Sequence, residues 1–490
     1  MKNGIKKGGG NVKNQLKIGG GNVKISIEKC GGNVKGVINM EKPEIEFKRK
    51  IYEKMIEWKQ KRTPDYALFL KGPRRVGKST LASKLGREQY KSFIEIRFDK
   101  APKEIKNLFV NSLEDLDDMF EKIQIHYKTK LYRRESLIIL DEIQLFPEAR
   151  QALKTLLEDK RYDYIETGSL ASIKRNSKKI LKPSEEYSLN VYPLDFEEFL
   201  TAIGDEITFN VLKSHFESLK PLGAAHSQIK KLFRTYMLVG GMPQSVLAYI
   251  KTKDFGDVDF AKQQILDLYE GDMNDQEEEN PDTLKNIFWH IPSELSKHDK
   301  KFMLSHIDPN ARIRDYKGAI GWLNDAMIIN MSENVSEIST AFNLSTIDPY
   351  FKCYLMDTGL LISLAFKNKD YLENELYEAI LFDKLHVNEG MIVENAIAQA
   401  IRTKGERIYY FKKIDNESKK TIAELDFLVR RGNKINIIEA KSSKSNSIKS
   451  IDYVKTTYPK RIGKCYILHD GDIKIEKELI YLPYYFASLI

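Results

Sequence analysis

Cysteine is scarce in this sequence. The chain of 490 residues has three, Cys30, Cys353 and Cys465, which lie far apart and are odd in number. Such a set supplies neither a disulfide framework nor the close spacing of metal ligands, and it is typical of proteins in a reducing compartment. Long apolar runs are also missing, so no stretch of sequence is long enough to cross a bilayer as a helix. We therefore expect a cytoplasmic protein that has no membrane partner.

Basic charge is concentrated at one end of the chain. The net charge is +9, and residues 1–39, with eight Lys and one Glu, account for +7 of it. The other 451 residues carry the remaining +2. A body so close to neutral does not predict nucleic-acid binding through its overall charge. DNA or RNA would have to bind at local patches or at the basic tail.

The basic segment is a tandem repeat with a period of 11 residues. Asn11, Asn22 and Asn33 each lie in the sequence Gly-Gly-Asn-Val-Lys. Each unit offers little apolar surface to bury, and its glycines make ordering entropically costly. We predict that residues 1–39 form a flexible tail. The alternative is that the three units stack as a small solenoid or pair as hairpins.

Strand and helix patterns alternate after the repeat, as an α/β domain requires. Buried strands are predicted at 66–70, 93–98, 136–140 and 164–167, with a helix at 79–88 between the first two. The chain is too long for one hydrophobic core, so two to four domains are expected.

A glycine-rich loop follows the first predicted strand. Residues 72–79 read Gly-Pro-Arg-Arg-Val-Gly-Lys-Ser, the P-loop pattern of Gly, four residues and Gly-Lys-Ser. Its glycines let backbone N–H groups face phosphates at a helix N-terminus, its lysine reaches the β- and γ-phosphates, and its serine hydroxyl binds Mg²⁺. A chance match in a turn would lack the strand before the loop and the helix after it. We therefore predict that ATP and Mg²⁺ bind here. The predicted nucleotide-binding residues in this loop are Gly72, Pro73, Arg74, Arg75, Val76, Gly77, Lys78, Ser79 and Thr80.

An acidic pair ends the strand predicted at 136–140. Asp141 and Glu142 follow four consecutive apolar residues, which places them at the edge of a buried sheet. Asp141 would hold Mg²⁺ together with Ser79, and Glu142 would polarise the attacking water. An ordinary strand that ends in solvated acids is the alternative, and the apolar run before the pair makes it the poorer account.

Five motifs occur in an order that resembles a known group of proteins. The motifs are GPRRVGKST, LIILDEIQ, ETGS, YPLDFEEFL (192–200) and VGGMP (239–243). They resemble the prokaryotic AAA-type ATPases, similar to the signalling-type NTPases, that carry a C-terminal domain of uncharacterised function. The resemblance extends from about residue 48 to the end of the chain.

The resemblance implies an α/β fold with a P-loop AAA-type parallel sheet, a helical lid, a winged-helix-like middle region and a C-terminal α+β module like the restriction endonucleases. In AAA-type relatives a polar residue after the next strand contacts the γ-phosphate or the attacking water. Thr167 and Ser169 are both candidates, and a local turn held by a hydroxyl is the alternative. The predicted domains are the repeat tail (1–39), the ATPase core (40–205), the lid (206–275), the winged-helix-like region (276–369) and the nuclease-like domain (370–490).

One departure from the family pattern concerns arginine. Relatives usually have a Gly-Arg pair between the ETGS and YPLDF motifs, whereas residues 182–186 of this chain read Lys-Pro-Ser-Glu-Glu. If that arginine senses nucleotide in relatives, its role is missing or moved here. No arginine finger is therefore predicted.

Carboxylates near the C-terminus form a pattern typical of nucleases. Asp426 begins one predicted strand, and Glu439-Ala-Lys441 ends the next. In restriction-endonuclease-like enzymes two such carboxylates hold Mg²⁺ at the scissile phosphate and the lysine activates water. Glu394, on a preceding helix pattern, matches the family as a further metal ligand. The alternative is a half-exposed hairpin whose residues alternate as in any other.

Two classes of function follow from these patterns. The first is an ATPase whose nucleotide binding and hydrolysis control a nuclease-like effector, with Glu142, Asp426, Glu439 and Lys441 as the catalytic residues. The second is a regulatory protein that ATP switches and whose C-terminal domain binds without cleaving. Expected partners are DNA or RNA, at the C-terminal module or the basic tail, and further copies of the chain.

The repeat generates the first testable prediction. A protein that starts at Met40 is expected to fold and to hydrolyse ATP like the full chain, because the repeat can bury little surface. Thermal unfolding and ATPase assays of both proteins check this, and a large drop in melting temperature would contradict it. If the tail binds nucleic acid, truncation should chiefly weaken salt-sensitive binding.

Overall fold

The computed structural model forms two compact units, Met1–Phe47 and Lys48–Ile490. The structure describes residues 14–18, 21–30, 33–39, 45–168, 184–276, 279–297, 300–307, 312–367, 389–415, 417–418, 420–440 and 447–490.

The first unit contains the repeat. Its strands β1 (Asn14–Ile18), β2 (Gly21–Cys30) and β3 (Asn33–Asn39) pair antiparallel in that order. Each repeat unit therefore supplies one strand. This is the hairpin pairing that was the alternative to a flexible tail. Residues 1–13 and 40–44 lie outside the described residues. The flexible tail stays a prediction.

A parallel five-stranded sheet forms the centre of the P-loop region. The strand order is β5-β6-β7-β4-β8, with every pair parallel. The strands are β4 (Ala67–Lys71), β5 (Ser92–Arg97), β6 (Ser136–Asp141), β7 (Asp163–Gly168) and β8 (Glu186–Asn190). The predicted P-loop α/β fold is confirmed. The edge strand β8 was not predicted, because a short run with two polar ends gives little signal.

Helices cover both faces of this sheet. They are α1 (Ile51–Lys61), α2 (Lys78–Gln89), α3 (Lys103–Asn111), α4 (Leu116–Tyr127) and α5 (Pro147–Glu158). Successive residues of a strand point to opposite faces. Leu137 and Ile139 accordingly pack in the cluster that contains α1 and α2, and Ile138 and Leu140 in the one that contains α3 to α5. This two-sided burial explains why β6 is apolar at four consecutive positions.

A group of helices follows the sheet. They are α6 (Phe196–Ala202), α7 (Thr208–Ser218), α8 (Ala225–Val239), α9 (Pro243–Thr252) and α10 (Phe255–Asn274). Asp195 begins α6 with a capping box, in which its carboxylate accepts from the Glu198 N–H and the Glu198 side chain accepts in return. Such reciprocal caps satisfy N–H groups that a helix start leaves open.

The rest of the chain is α+β around a mixed sheet of eight strands. Their order is β10-β9-β11-β12-β13-β14-β16-β15. The strands are β9 (Ile329–Val335), β10 (Thr346–Leu355), β11 (Ile408–Ile414), β12 (Thr421–Arg431), β13 (Lys434–Ala440), β14 (Ile462–His469), β15 (Lys474–Glu476) and β16 (Leu479–Pro483). The helices are α11 (Pro281–Leu295), α12 (Ile313–Asp325), α13 (Thr358–Ala365), α14 (Glu389–Thr403) and α15 (Ser447–Thr457).

The mixed sheet runs across a predicted domain boundary. Strands β9 and β10 come from the region predicted as winged-helix-like, yet β9 pairs in parallel with β11 of the predicted nuclease-like domain. The domain boundaries themselves stay predictions. Among the described residues, the helices lack the combination of length and apolar character needed to cross a membrane.

A buried polar network joins the helices after the P-loop sheet to the mixed-sheet region. Tyr236 on α8 donates its hydroxyl proton to the Leu194 carbonyl at 2.9 Å and accepts from the amide of Gln399 on α14 at 3.1 Å. Gln399 also accepts from the Thr358 N–H at 2.8 Å. Asp357, fully buried, accepts from the Gly241 N–H at 2.5 Å. Because the surroundings of these hydrogen bonds are apolar, breaking any one of them costs more free energy than it would in water.

Tyr236→Phe is expected to lower the free energy of unfolding by about 1–3 kcal/mol, because it leaves buried polar partners unpaired. Thermal or urea unfolding measures the change. Tyr453→Phe, on the partly exposed face of α15, serves as the control and should have a much smaller effect. Equal stability of the Tyr236→Phe and unaltered proteins would contradict the importance of the network.

Candidate functional site

The P-loop connects the end of β4 to the start of α2, and two glycines give it its shape. Gly77 has φ of 97°, a left-handed conformation that side chains disfavour. A Cβ atom at Gly72 would overlap the Val191 carbonyl oxygen. Helix α2 begins directly after Gly77, so its first N–H groups point into the loop, where the helix dipole favours an anion.

Lys78 is buried inside this loop. Its residue is 8% exposed, and its ammonium group donates to the carbonyl oxygens of Gly72 at 3.0 Å and Pro73 at 2.8 Å. Burial lowers the pKa of Lys78 to about 8, although the carboxylates of Glu142 and Asp141 act in the opposite direction. Hydrogen bonds to neutral carbonyls do not cancel the positive charge of this buried ammonium group. The negative charge of a bound phosphate would do so.

Asp141 joins three parts of the site at the carboxyl edge of the sheet. Its Oδ1 accepts from the Ser79 hydroxyl at 2.7 Å and also from the Thr167 hydroxyl. The two hydroxyls come from α2 and β7, and Asp141 ends β6 between them. The Arg97 guanidinium lies 3.7 Å from the other carboxylate oxygen. The structure therefore brings Ser79, Asp141 and Thr167 together.

Glu142 has an unusual backbone conformation next to this group. Its φ of 55° and ψ of 45° are left-handed, which is uncommon for a residue with a side chain. The side-chain amide of Gln144 donates to the Glu142 carboxylate. Strained conformations of this kind cluster at functional sites, where the surroundings impose them. Gln144 positions the carboxylate that was predicted to polarise water.

Arg49 contacts the P-loop through its guanidinium group. This role was not predicted from the sequence. Its guanidinium donates to the carbonyl oxygens of Val76 at 3.2 Å and Tyr192 at 2.5 Å, and to the Glu198 carboxylate at 3.1 Å. Arg49 thus ties the P-loop to the YPLDF motif. Nothing in its local sequence distinguishes it from the other basic residues before α1.

Helix α10 packs over the loop. The Arg74 guanidinium lies 2.6 Å from the Asp272 carboxylate, and the Tyr269 hydroxyl donates to the Arg74 carbonyl at 3.0 Å. Burial raises the pKa of Asp272 to about 6, against the effect of Arg74. The predicted lid region therefore contacts the predicted phosphate site directly.

The residues at this edge fit a nucleoside triphosphate with Mg²⁺. Carboxylate and hydroxyl oxygens are ligands that Mg²⁺ prefers, and Asp141 and Ser79 supply one of each. The under-compensated ammonium of Lys78 and the start of α2 both favour an anion. Ser79 and Asp141 would hold the metal, and Lys78 and the loop would hold the phosphates.

A second group of charged side chains lies in the mixed sheet. Asp426 on β12 and Glu439 on β13 are adjacent, and the Asp426 N–H donates to Glu439 Oε1 at 3.0 Å. Glu394 on α14 reaches the same place, where the ammonium group of Lys352 on β10 lies 3.4 Å from Glu394 Oε1 and 3.2 Å from Asp426 Oδ1. Lys352 thus contacts both Glu394 and Asp426, and Asp426 is hydrogen-bonded to Glu439 through its backbone.

Burial and neighbouring charge perturb these groups in different directions. Burial by itself would raise the pKa of Glu394, but Lys352 and Lys300 lower it below its ordinary value. Burial and the charge of Glu394 raise the pKa of Asp426. Among the described residues no group of three or more His, Cys, Asp or Glu is placed to hold a metal ion. The metal-binding roles of Glu394, Asp426 and Glu439 stay predictions.

Two predicted site residues, Ser169 and Lys441, lie outside the described residues. Lys352 was missed in the sequence, although a signal for it exists. It follows Tyr-Phe351 and precedes Cys353-Tyr-Leu, so it interrupts an otherwise apolar run at the end of the strand. A charge at such a position must be buried with a partner.

Comparison with known families supports the nucleotide site. Residues 64–200 match a family model described as an AAA domain. Residues 230–371 and 389–486 match two models described as domains of unknown function, DUF8612 and DUF4143. This chain therefore contains a AAA-type P-loop ATPase domain. No curated protein matches it.

Several solved structures are similar to this chain at low identity. The Walker-type ATPase PABY2304 of Pyrococcus abyssi is 16% identical, with 65% of this chain and 96% of that chain covered and a TM-score of 0.39. Cdc6p from Pyrobaculum aerophilum is 13% identical, with 71% and 98% covered and a TM-score of 0.26. Domain III of the replication initiation protein DnaA from Thermotoga maritima is 14% identical, with 44% and 90% covered and a TM-score of 0.24.

The pKa of Lys78 predicts a pH dependence of ATP binding. Below about pH 8 the ammonium is charged in the free protein. Above it, the neutral amine must take up a proton when the triphosphate binds, so the affinity should fall towards about tenfold per pH unit. Calorimetry in buffers of different ionisation enthalpy measures both the affinity and the proton uptake.

Lys78→Arg is the matched control, because a guanidinium stays charged throughout this range. Its residual nucleotide affinity should not fall above pH 8. A dissociation constant of the unaltered protein that is the same at pH 7 and at pH 9.5 would contradict the lowered pKa.

Proposed function

We propose that this protein is a Mg²⁺-dependent ATPase. The observation that carries the proposal is the contact of Asp141 with the hydroxyls of Ser79 and Thr167. It unites a P-loop serine, an acidic strand end and a polar residue of the neighbouring strand at one edge. Mg²⁺, when bound, supplies positive charge that offsets the negative charge of the phosphates.

The residues divide the hydrolysis between them. Lys78 and the loop hold the triphosphate, and Thr167, whose hydroxyl contacts Asp141, orients the γ-phosphate or a water. Glu142, fixed by Gln144, accepts a proton as the water oxygen bonds to the γ-phosphorus and the bond to the ADP oxygen breaks. The products are ADP and inorganic phosphate, and the proton leaves Glu142 to solvent.

The connection from this site to the mixed sheet supports a coupled function. Arg49 links the P-loop to Tyr192, and Leu194, in the same motif, is hydrogen-bonded by Tyr236, which also contacts Gln399. Gln399 lies five residues after Glu394 on the same helix, α14. We propose that nucleotide binding and hydrolysis act on the C-terminal domain through these contacts.

The C-terminal domain has two candidate functions. Metal-dependent cleavage of DNA or RNA needs Asp426 and Glu439 free to bind Mg²⁺. A non-cleaving domain that binds nucleic acid or a partner under ATP control needs no metal. The ion pairs of Lys352 with Glu394 and Asp426 favour the second candidate.

Substitution separates the two roles at the nucleotide site. Lys78→Ala should abolish ATP binding, because the phosphates lose their buried cation. Glu142→Gln should bind ATP as before but hydrolyse it about 10²–10⁴-fold more slowly, because an amide cannot accept the proton. Binding is measured by fluorescence of a labelled nucleotide and turnover by phosphate release.

Glu148→Gln, at an exposed position of α5, is the matched control and should leave turnover unchanged. Unchanged turnover of the Glu142→Gln protein would remove Glu142 from the catalytic role.

For the C-terminal domain, the protein is incubated with DNA and RNA, with and without ATP and Mg²⁺. Fragments that disappear in Lys441→Ala would establish cleavage, and shifted intact nucleic acid would establish binding.

A further inference from the structure

Lys352, together with Glu394, is one of the two most deeply buried charges of the C-terminal cluster. Its residue is 2% exposed, although it lies in a strand between Phe351 and Cys353, which are buried as well. An ammonium group removed from water is tolerated where opposite charges and hydrogen-bond acceptors surround it. Its surroundings therefore reveal what holds it there.

Those surroundings are acidic on several sides. The ammonium lies 3.4 Å from Glu394, 3.2 Å from Asp426 and 3.9 Å from Glu424. The ring of Tyr410 faces it with the centroid at 5.2 Å. The carboxylates come from α14 and β12, so this one side chain connects the helix to the sheet.

Further donors satisfy the same carboxylates. Glu394 also accepts from the Lys300 ammonium and, at 2.5 Å, from the Tyr354 hydroxyl. The second oxygen of Asp426 accepts from the Ala440 N–H at 3.1 Å. Oxygens that are already hydrogen-bonded in this way lose those bonds if they turn towards a metal.

Three lysines of the cluster are paired with its carboxylates. Lys300 pairs with Glu394, Lys352 with Asp426, and Lys412 lies 3.0 Å from Glu424. Burial by itself would lower the pKa of Lys352, but Glu394, Asp426 and Glu424 raise it above its ordinary value.

A divalent ion between Glu394 and Asp426 would need the same space. Mg²⁺ requires oxygen ligands at about 2.1 Å in near-octahedral geometry. The ammonium of Lys352 lies between the two oxygens that would have to approach the ion. Its positive charge would also repel the ion in a region of low dielectric constant.

We propose that the ammonium group of Lys352 is the resident cation of this cluster and excludes divalent metal from it. The C-terminal domain then holds Glu394 and Asp426 together without metal, and a divalent ion binds there after Lys352 is removed or displaced. This inference does not depend on ATP hydrolysis, so the two can fail separately.

Mn²⁺ is the probe, because electron paramagnetic resonance counts the free ion directly. Nucleotide-free full-length protein with Asp141→Asn, which weakens the P-loop metal site, is compared with the same protein carrying Lys352→Met. Met keeps most of the length of the side chain and removes its charge. We expect Lys352→Met to bind Mn²⁺ about tenfold more tightly or better, and Mn²⁺ to raise its melting temperature.

Two further proteins make the result specific. Lys412→Met removes a neighbouring charge of the same cluster and should gain much less affinity; an equal gain would show that any loss of positive charge suffices and would overturn the proposal. Adding Asp426→Asn to Lys352→Met should abolish the gain. If Lys352→Met fails to fold, the Asp141→Asn protein decides: tight Mn²⁺ binding that Asp426→Asn eliminates overturns the proposal, and its absence supports it.

Discussion

A charged side chain that leaves water needs a compensating partner, and the P-loop site and the C-terminal cluster both depend on how that partner is supplied. Lys78 and Lys352 are both buried lysines, 8% and 2% exposed. The first donates to the neutral carbonyls of Gly72 and Pro73, and the second is paired with the carboxylates of Glu394 and Asp426. Burial dominates at Lys78 and lowers its pKa, whereas neighbouring charge dominates at Lys352 and raises it. The ammonium group of Lys78 therefore favours the binding of an anion, whereas that of Lys352 already has carboxylate partners.

The nucleotide site could be predicted well from the sequence because its parts are local. The P-loop is a contiguous pattern. Asp141 follows a run of apolar residues that indicates a strand buried on both faces. In a parallel sheet the carboxyl ends of the strands meet at one edge, so the convergence of Ser79, Asp141 and Thr167 follows from the order of the elements. Arg49 and Asp272 could not be predicted, since their roles depend on contacts between residues far apart in the chain.

The C-terminal cluster could be predicted only in part, because only some of its residues are close together in the sequence. Asp426 and Glu439 lie on adjacent strands of one hairpin, and that pairing was readable from their alternation with apolar residues. Lys352 enters from β10, at the far edge of the sheet, and its position depends on the pairing of β10 with β9 and of β9 with β11. Register between distant strands is not encoded in any local pattern. The sequence therefore predicted the carboxylates but not the ammonium group of Lys352 beside them.

The contrast between Lys78 and Lys352 is tested most directly by nuclear magnetic resonance of the lysine side chains. Protein labelled at the lysine Cε carbons would be titrated with base, with Lys78→Arg and Lys352→Arg used to assign the two resonances. The account predicts that Lys78 titrates near pH 8 without nucleotide and at higher pH with a non-hydrolysable ATP analogue, while Lys352 stays charged until the protein unfolds. A Lys352 resonance that titrates at or below the ordinary lysine pKa, or a Lys78 resonance that does not respond to the analogue, would contradict it.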